Sequence, residues 1–200
     1  LGSGMEMIDT IYAKSKGIDF IICDHHRPGL EIPDAVAVLD PKRTDCSYPF
    51  DELSGCGVGF KLIHGYTNHH ELPFDDLEEY LDLVAISIAA DIVPIVGENR
   101  ILAYFGLKRL NSAPRYGFKA ILELSGGIRE LTITDVVFTI APRINAAGRI
   151  ESGKQAVELM IYETTLEANS HGEEINKKNT TRKSLNENIT KEALLLIEND

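Results

Sequence analysis

Cysteine is scarce in these 200 residues: Cys23, Cys46 and Cys56 are an odd number without C-x-x-C spacing. That excludes a disulfide framework and a structural thiolate zinc site, and the three read as reduced thiols. Basic residues are also short, 20 against 31 acidic, for a formal net charge of −11. A sequence-independent coat on nucleic acid draws on clustered Lys and Arg, so any phosphate contact here must be local. No apolar run approaches a bilayer span and no charged-then-apolar leader opens the chain, so the expected setting is the cytoplasm with no membrane partner. Internal repeats, low-complexity linkers and an initiator methionine are missing too. The opening Leu1-Gly2-Ser3-Gly4 reads as the start of an excised piece.

What is present is an ordinary globular composition, 44% hydrophobic, with enough material for a real core in one domain or slightly more. Ser3 and Glu6 fit a capping box, and the spacing of Met5, Ile8 and Tyr12 predicts a helix over 5–16 that stops at Lys16-Gly17. "GIDFIIC" (17–23) is short, apolar and β-branched, as a strand covered on both faces would be, and "AVAVLD" (35–40) repeats the pattern. Helices are then expected over 55–66, over the strongly apolar "DLEEYLDLVAISIAADIV" (76–93), and near 98–111, 116–125, 134–140 and 153–162, the last capped by Ser152 and Gln155. Beyond 164 the chain is polar and asparagine-rich, with sparse apolar positions at Ile175, Leu185, Ile189 and Leu195, which predicts one long, lightly packed helix. The expected class is α/β: part of a parallel sheet, a mainly helical region, and a long C-terminal connecting helix.

In open α/β sheets, ligands sit beyond the carboxyl ends of the strands. Asp24, His25 and His26 in "FIICDHHRPG" (20–29) occupy that address. Imidazole with carboxylate suits a divalent ion such as manganese, and an Asp beside a His can fix the tautomer of the ring. The bland alternative is a chance triplet. Asp91 closes the apolar helix, where a buried carboxylate wants a cation or several donors, unless it only starts the turn before Ile92-Val93-Pro94. His69-His70 lies in the polar "TNHHELP" with no strand before it, so it reads as solvated or helix-ending. In "SGCGVGF" (54–60), Gly55 and Gly57 suit a turn whose N–H groups cradle an anion, although close helix packing asks for small residues equally. "PRINAAGR" sets Arg143 and Arg149 around Asn145 and a small-residue turn through which backbone can approach a phosphate; two solvated arginines around an interhelical turn is the alternative. "GENR" (97–100) reads as mostly structural, with Glu98 favouring the positive helix end.

Taken together and in this order, "DHH", "SGCGVGFKL", "LDLVAISIAADIVPIVGENR" and "PRINAAGR" resemble the DHH phosphoesterases over essentially the whole chain. The triplet alone marks the superfamily, and the last two segments narrow the resemblance to its single-stranded-DNA exonucleases. The resemblance implies a partial parallel-sheet DHH catalytic domain over 1–95, a helical remainder of the core over 96–163, and a connecting helix over 164–200 toward a further domain. It implies His25 as a manganese ligand, His26 facing the scissile phosphate or a second ion, Asp24 orienting the histidines, and Asp91 as a ligand. Arg143, Asn145 and Arg149 would border the nucleic-acid path. Two Mn²⁺ or Mg²⁺ ions, single-stranded DNA cut from the 5′ end, and repair or replication proteins as partners follow from the same resemblance.

One departure stands out. The family's first two aspartate motifs would lie upstream of Met5, and Asp9 and Asp19 do not replace them. The expectation is therefore half of a dinuclear site, no turnover by these 200 residues alone, and self-association through an open sheet edge. A non-catalytic DHH-like scaffold and a phosphatase of short oligonucleotides are the competing readings.

Overall fold

The computed structural model describes residues 3–127, 130–150 and 153–198, with side chains from residue 9 onward except those of 147–150, 153 and 198. The chain divides into two compact units, Leu1–Lys108 and Arg109–Asp200.

In the first unit, α1 (Ser3–Ser15) ends where Gly17 adopts a φ of +68°, a left-handed turn that glycine takes without a Cβ clash. The chain then enters β1 (Ile21–Cys23), which pairs in parallel with β2 (Ala37–Leu39), Ile22 opposite Val38. Backbone bonds from Val36 to Phe20 and from Asp24 to Leu39, both 2.9 Å, extend the ladder at its two ends. The expected strand pair is present, but burial on both faces is not. Ile22 is 5% exposed while Ile21 is 54% exposed, because among the described residues the sheet has two strands only.

Two helices frame the carboxyl end of this sheet. α2 (Gly55–His69) begins at Ser54, whose hydroxyl accepts the Gly57 N–H at 3.2 Å. The single helix expected over 76–93 is broken into α3 (Asp75–Glu78) and α4 (Leu81–Asp91). The break follows from tight three-residue bonds, Tyr80 N–H to Leu77 O and Leu83 N–H to Tyr80 O, which tighten the turn between them. α4 buries Leu81, Val84, Ala85, Ile86, Ile88 and Ala89, so it is apolar nearly all round because it is covered nearly all round. α5 (Gly97–Ser112) presses against it at Gly106, where a Cβ would stand 2.1 Å from the Leu81 carbonyl oxygen.

The second unit is helical: α6 (Tyr116–Glu123), α7 (Ile133–Asp135), a five-residue π-helical turn Val136–Ile140, α8 (Ala141–Ile150), α9 (Gly153–Ile161) and α10 (Thr165–Glu198). Thr132 and Asp135 cap α7 reciprocally. α10 packs on α6 and α8 and buries Ala168, Ile175 and Asn179, then runs exposed past Leu185 and Ile189. Its first half thus belongs to the core of this unit, and only its second half matches the lightly packed helix expected. The small-residue turn read into "PRINAAGR" is corrected: these residues lie in α8. Alanine and arginine favour helix, and the wider π-helical turn before Pro142 relieves the clash its ring would make with the carbonyl four residues back. Ser152 and the side chains of Ser3 and Glu6, read as caps, lie outside the described residues. No helix among the described residues is long and apolar enough to cross a membrane.

Candidate metal site at the end of the first strand

Asp24 is the first residue beyond β1, tied to β2 by its own N–H and only 8% exposed. One of its oxygens, Oδ1, accepts three bonds: from the N–H of His25 at 2.7 Å, the N–H of His26 at 3.1 Å, and His26 Nδ1 at 2.6 Å. Burial pushes the Asp24 carboxyl up, but the side-chain and backbone bonds from His26 and His25 together outweigh it and hold it below the ordinary carboxylate value. The ionised Asp24 bends the chain back on itself, leaving the two imidazoles side by side with centroids 4.4 Å apart. It also orients the His26 ring, whose Nδ1 donates to it, leaving Nε2 on the side away from Asp24.

Asp24 orients only one of the two rings. The His25 ring is placed by contact with the start of α2, where a Cβ on Gly55 would lie 3.5 Å from its Cδ2 and 3.7 Å from its Nε2. Across from it, Asp91 Oδ2 stands 3.8 Å from His25 Nε2, too far for a hydrogen bond. Burial, with smaller contributions from His26 and the cationic Lys42, pushes the His25 pKa below its ordinary value although Asp91 pulls it upward. At neutral pH the His25 ring therefore favours its neutral form, and it faces a carboxylate. One divalent ion bonded to both groups at about 2.1 Å would hold them about 3–4 Å apart, which the observed gap meets.

The shifted His25 carries a testable consequence. Its folded pKa lies below the unfolded one, so it costs nothing above about pH 6.5; as pH falls through that value the unfolded chain gains the proton first and stability drops. A ring-proton NMR titration of metal-free protein should give His25 a midpoint below the ordinary histidine value of about 6.5.

Asp91 is the last residue of α4, at the negative end of the helix dipole, where a carboxylate is disfavoured without a nearby positive charge. Ile92 follows at φ 54°, ψ 37°, a left-handed conformation that costs a β-branched residue about 1–3 kcal/mol. Asp91 thus starts a turn as well as facing His25. Asn99, fully buried, secures the segment by donating to the carbonyls of Glu52 at 2.6 Å and Pro94 at 3.0 Å, a structural role that "GENR" was expected to have.

Two residues of this neighbourhood escaped the sequence reading. Asp40 sits at the carboxyl end of β2 as Asp24 does at that of β1, 5% exposed, its pKa raised by burial and by the charge of Asp24 against a bond from the Lys42 N–H. Lys42 places a positive charge near His25. The available signal was the same strand-end address, in "AVAVLD" and the residues after it.

Other expectations fare differently. The Gly57 N–H is engaged by Ser54, and the Cys56 N–H donates to Ser87 Oγ at 3.3 Å, so the glycine turn has less to offer an anion than the sequence suggested. Arg143, half-buried in the second unit, donates to Thr139 O at 2.7 Å and Asn176 Oδ1 at 3.0 Å, while Asn145 is exposed and the Arg149 side chain lies outside the described residues. His69 closes α2 and His70 caps it, the helix-ending alternative. Among the described residues no three His, Cys, Asp or Glu side chains converge on one ion. A cavity of about 410 Å³ opens on the β2 side of the unit and is lined in part by Asp40, Arg43, Tyr48 and Lys61. Much of its polar wall is already paired, Arg43 with Asp45 and both Tyr48 and Lys61 with Glu98.

Comparison with known proteins returns the same region. Residues 3–88 match the model of the DHH family, N-terminal domain. The chain is 46% identical over 187 residues to the single-stranded-DNA-specific exonuclease RecJ of Bacillus subtilis, covering 93% of this chain and 23% of that protein. It is 36% identical over 198 residues to the RecJ of Escherichia coli K12, covering 94% and 34%. The chain therefore spans about a quarter to a third of the curated relatives it matches. Among solved structures, an exonuclease RecJ bound to manganese superposes with a TM-score of 0.83 at 30% identity, covering 95% of this chain and 48% of that one. RecJ in complex with Mg²⁺ from Thermus thermophilus gives 0.74 at 31% identity, covering 88% and 26%.

Proposed function

Residues 3–88 match the DHH family's N-terminal domain, and on that premise we propose that the chain forms part of a Mn²⁺- or Mg²⁺-dependent exonuclease that degrades single-stranded DNA from the 5′ end. The observation that carries this reading is the pair His25 and Asp91, a neutral imidazole 3.8 Å from a carboxylate that a helix dipole disfavours. Residues 1–95 would supply this part of the catalytic centre, with 96–163 and 164–200 extending it toward regions that the longer relatives also have.

His25 and Asp91 would hold the ion. When bound, a divalent ion lowers the pKa of a water and offsets charge building up at phosphorus. His26, its Nδ1 engaged by Asp24, presents Nε2 toward a phosphate oxygen or a second ion. Lys42 adds positive charge on the same side. Asn145 and the spare donors of Arg143, with Arg149, would border the strand's path. The proposed setting is the cytoplasm, with repair or replication proteins as partners.

A non-catalytic scaffold has no use for an ionised Asp24 that orients a histidine ring, which favours the enzymatic reading. The test supplies the whole protein with Mn²⁺ and a long 5′-phosphorylated single strand, its duplex, and a dinucleotide. Loss of the long single strand from its 5′ end supports the proposal. Preference for the dinucleotide would replace it with the oligonucleotide phosphatase, and no turnover on any substrate with the scaffold. The 200 residues alone are expected to be inactive on all three.

A further inference from the structure

The Asp91 carboxylate does not hang freely from the end of α4. Ser87, one turn earlier on the same helix, lies 3.2 Å from Asp91 Oδ2 through its hydroxyl, and the Cys56 N–H donates to that same hydroxyl oxygen at 3.3 Å. A serine hydroxyl has one hydrogen and two lone pairs. With a lone pair taken by the Cys56 N–H, its hydrogen is directed to Asp91 Oδ2, the oxygen that faces His25. The nearby Cys56 thiol is a weaker acceptor than a carboxylate and does not displace that bond.

This arrangement joins two elements. Cys56 is in the first turn of α2, next to Gly55, where an added Cβ would meet the His25 ring at 3.5 Å. The start of α2 thus contacts both facing groups: His25 by packing, and Asp91 through Ser87. Serine in a helix commonly bonds back to the carbonyl four residues earlier; Ser87 bonds forward to a side chain four residues later. From this geometry we propose that Ser87 is a positioning residue that fixes the rotamer of Asp91 and sets which oxygen it offers to the ion. This rests on the reading of His25 and Asp91 as ligands.

Its test is a Mn²⁺ titration of the whole protein, free ion followed by electron paramagnetic resonance, for wild type and the variants Ser87→Ala, Ser87→Thr and Asp91→Ala. Alanine is a good helix former, and threonine keeps the hydroxyl at a helix-propensity cost below about 1 kcal/mol, too little to unfold α4. Ser87→Ala should weaken Mn²⁺ binding about tenfold, the usual cost of losing a group that orients a ligand, and Ser87→Thr should restore it. Asp91→Ala weakened with Ser87→Ala unchanged would overturn the positioning role and leave the ligand reading standing. Asp91→Ala unchanged would overturn the ligand reading, and the positioning role with it.

Discussion

On the proposed reading, replacing His25 with alanine should lower kcat/KM of the whole protein on a single-stranded substrate about a thousandfold or more, because a metal-assisted displacement would lose both charge compensation and an activated water with its ion. Asp91→Ala should give a loss of the same order. The size follows from the geometry: the two groups face each other across 3.8 Å with no hydrogen bond between them, so removing either leaves the ion one anchor from this part of the centre. Both variants should keep the thermal midpoint close to wild type, since the His25 ring and the Asp91 carboxylate lie at the rim of the unit rather than in its core. His69→Ala is the control. His69 belongs to an identical dipeptide at a helix end, and its loss should change activity by about twofold at most. Equal effects at His25 and His69 would remove the case for the strand-end site.

The second large effect is on stability. Gly106→Ala should destabilise the protein by more than about 3 kcal/mol, the upper range for overpacking, because the added Cβ would sit 2.1 Å from the Leu81 carbonyl oxygen and 2.6 Å from the Ala85 Cβ. No rotamer can relieve a clash between a Cβ and backbone, so α5 must move off α4, and α4 carries Asp91. Gly65→Ala supplies the contrast: that position in α2 has nothing within 4 Å of an added Cβ, and the substitution should stabilise by about 0.5–1 kcal/mol. Urea denaturation of both variants checks the pair. A Gly106→Ala protein within about 1 kcal/mol of wild type would mean that the two helices do not approach so closely.

Much of the candidate site was legible because it follows from position along elements. An apolar β-branched run predicted a strand, strands in α/β sheets present chemistry at their carboxyl ends, and Asp24, His25 and His26 stand there. Asp91 was legible for a related reason, as a carboxylate closing a helix too apolar to be anywhere but inside. That these two places meet was not written in either segment; it depends on α2 and α4 packing around the sheet. Asp40 and Lys42 were passed over because nothing in "AVLDPK" resembles a ligand motif until the second strand is paired with the first.

The misreadings have physical causes too. "PRINAAGR" looked like a turn because proline and glycine punctuate chains, but the π-helical turn before Pro142 makes room for its ring and the helix continues. Which N–H groups of the glycine turn a cap or a neighbouring serine takes is likewise not written in its sequence. The helix over 76–93 breaks at its polar start, where periodicity carries least information. The strand expected to be covered on both faces is covered on one, since coverage depends on partners that a strand's own residues do not name.

The most direct test of the metal site is anomalous diffraction at the manganese edge from crystals of the whole protein grown with Mn²⁺. The account predicts a peak within bonding distance of both His25 Nε2 and Asp91 Oδ2, with Ser87 Oγ still on the carboxylate. Manganese bound elsewhere, or His25 and Asp91 pointing to separate ions with none between them, would contradict it.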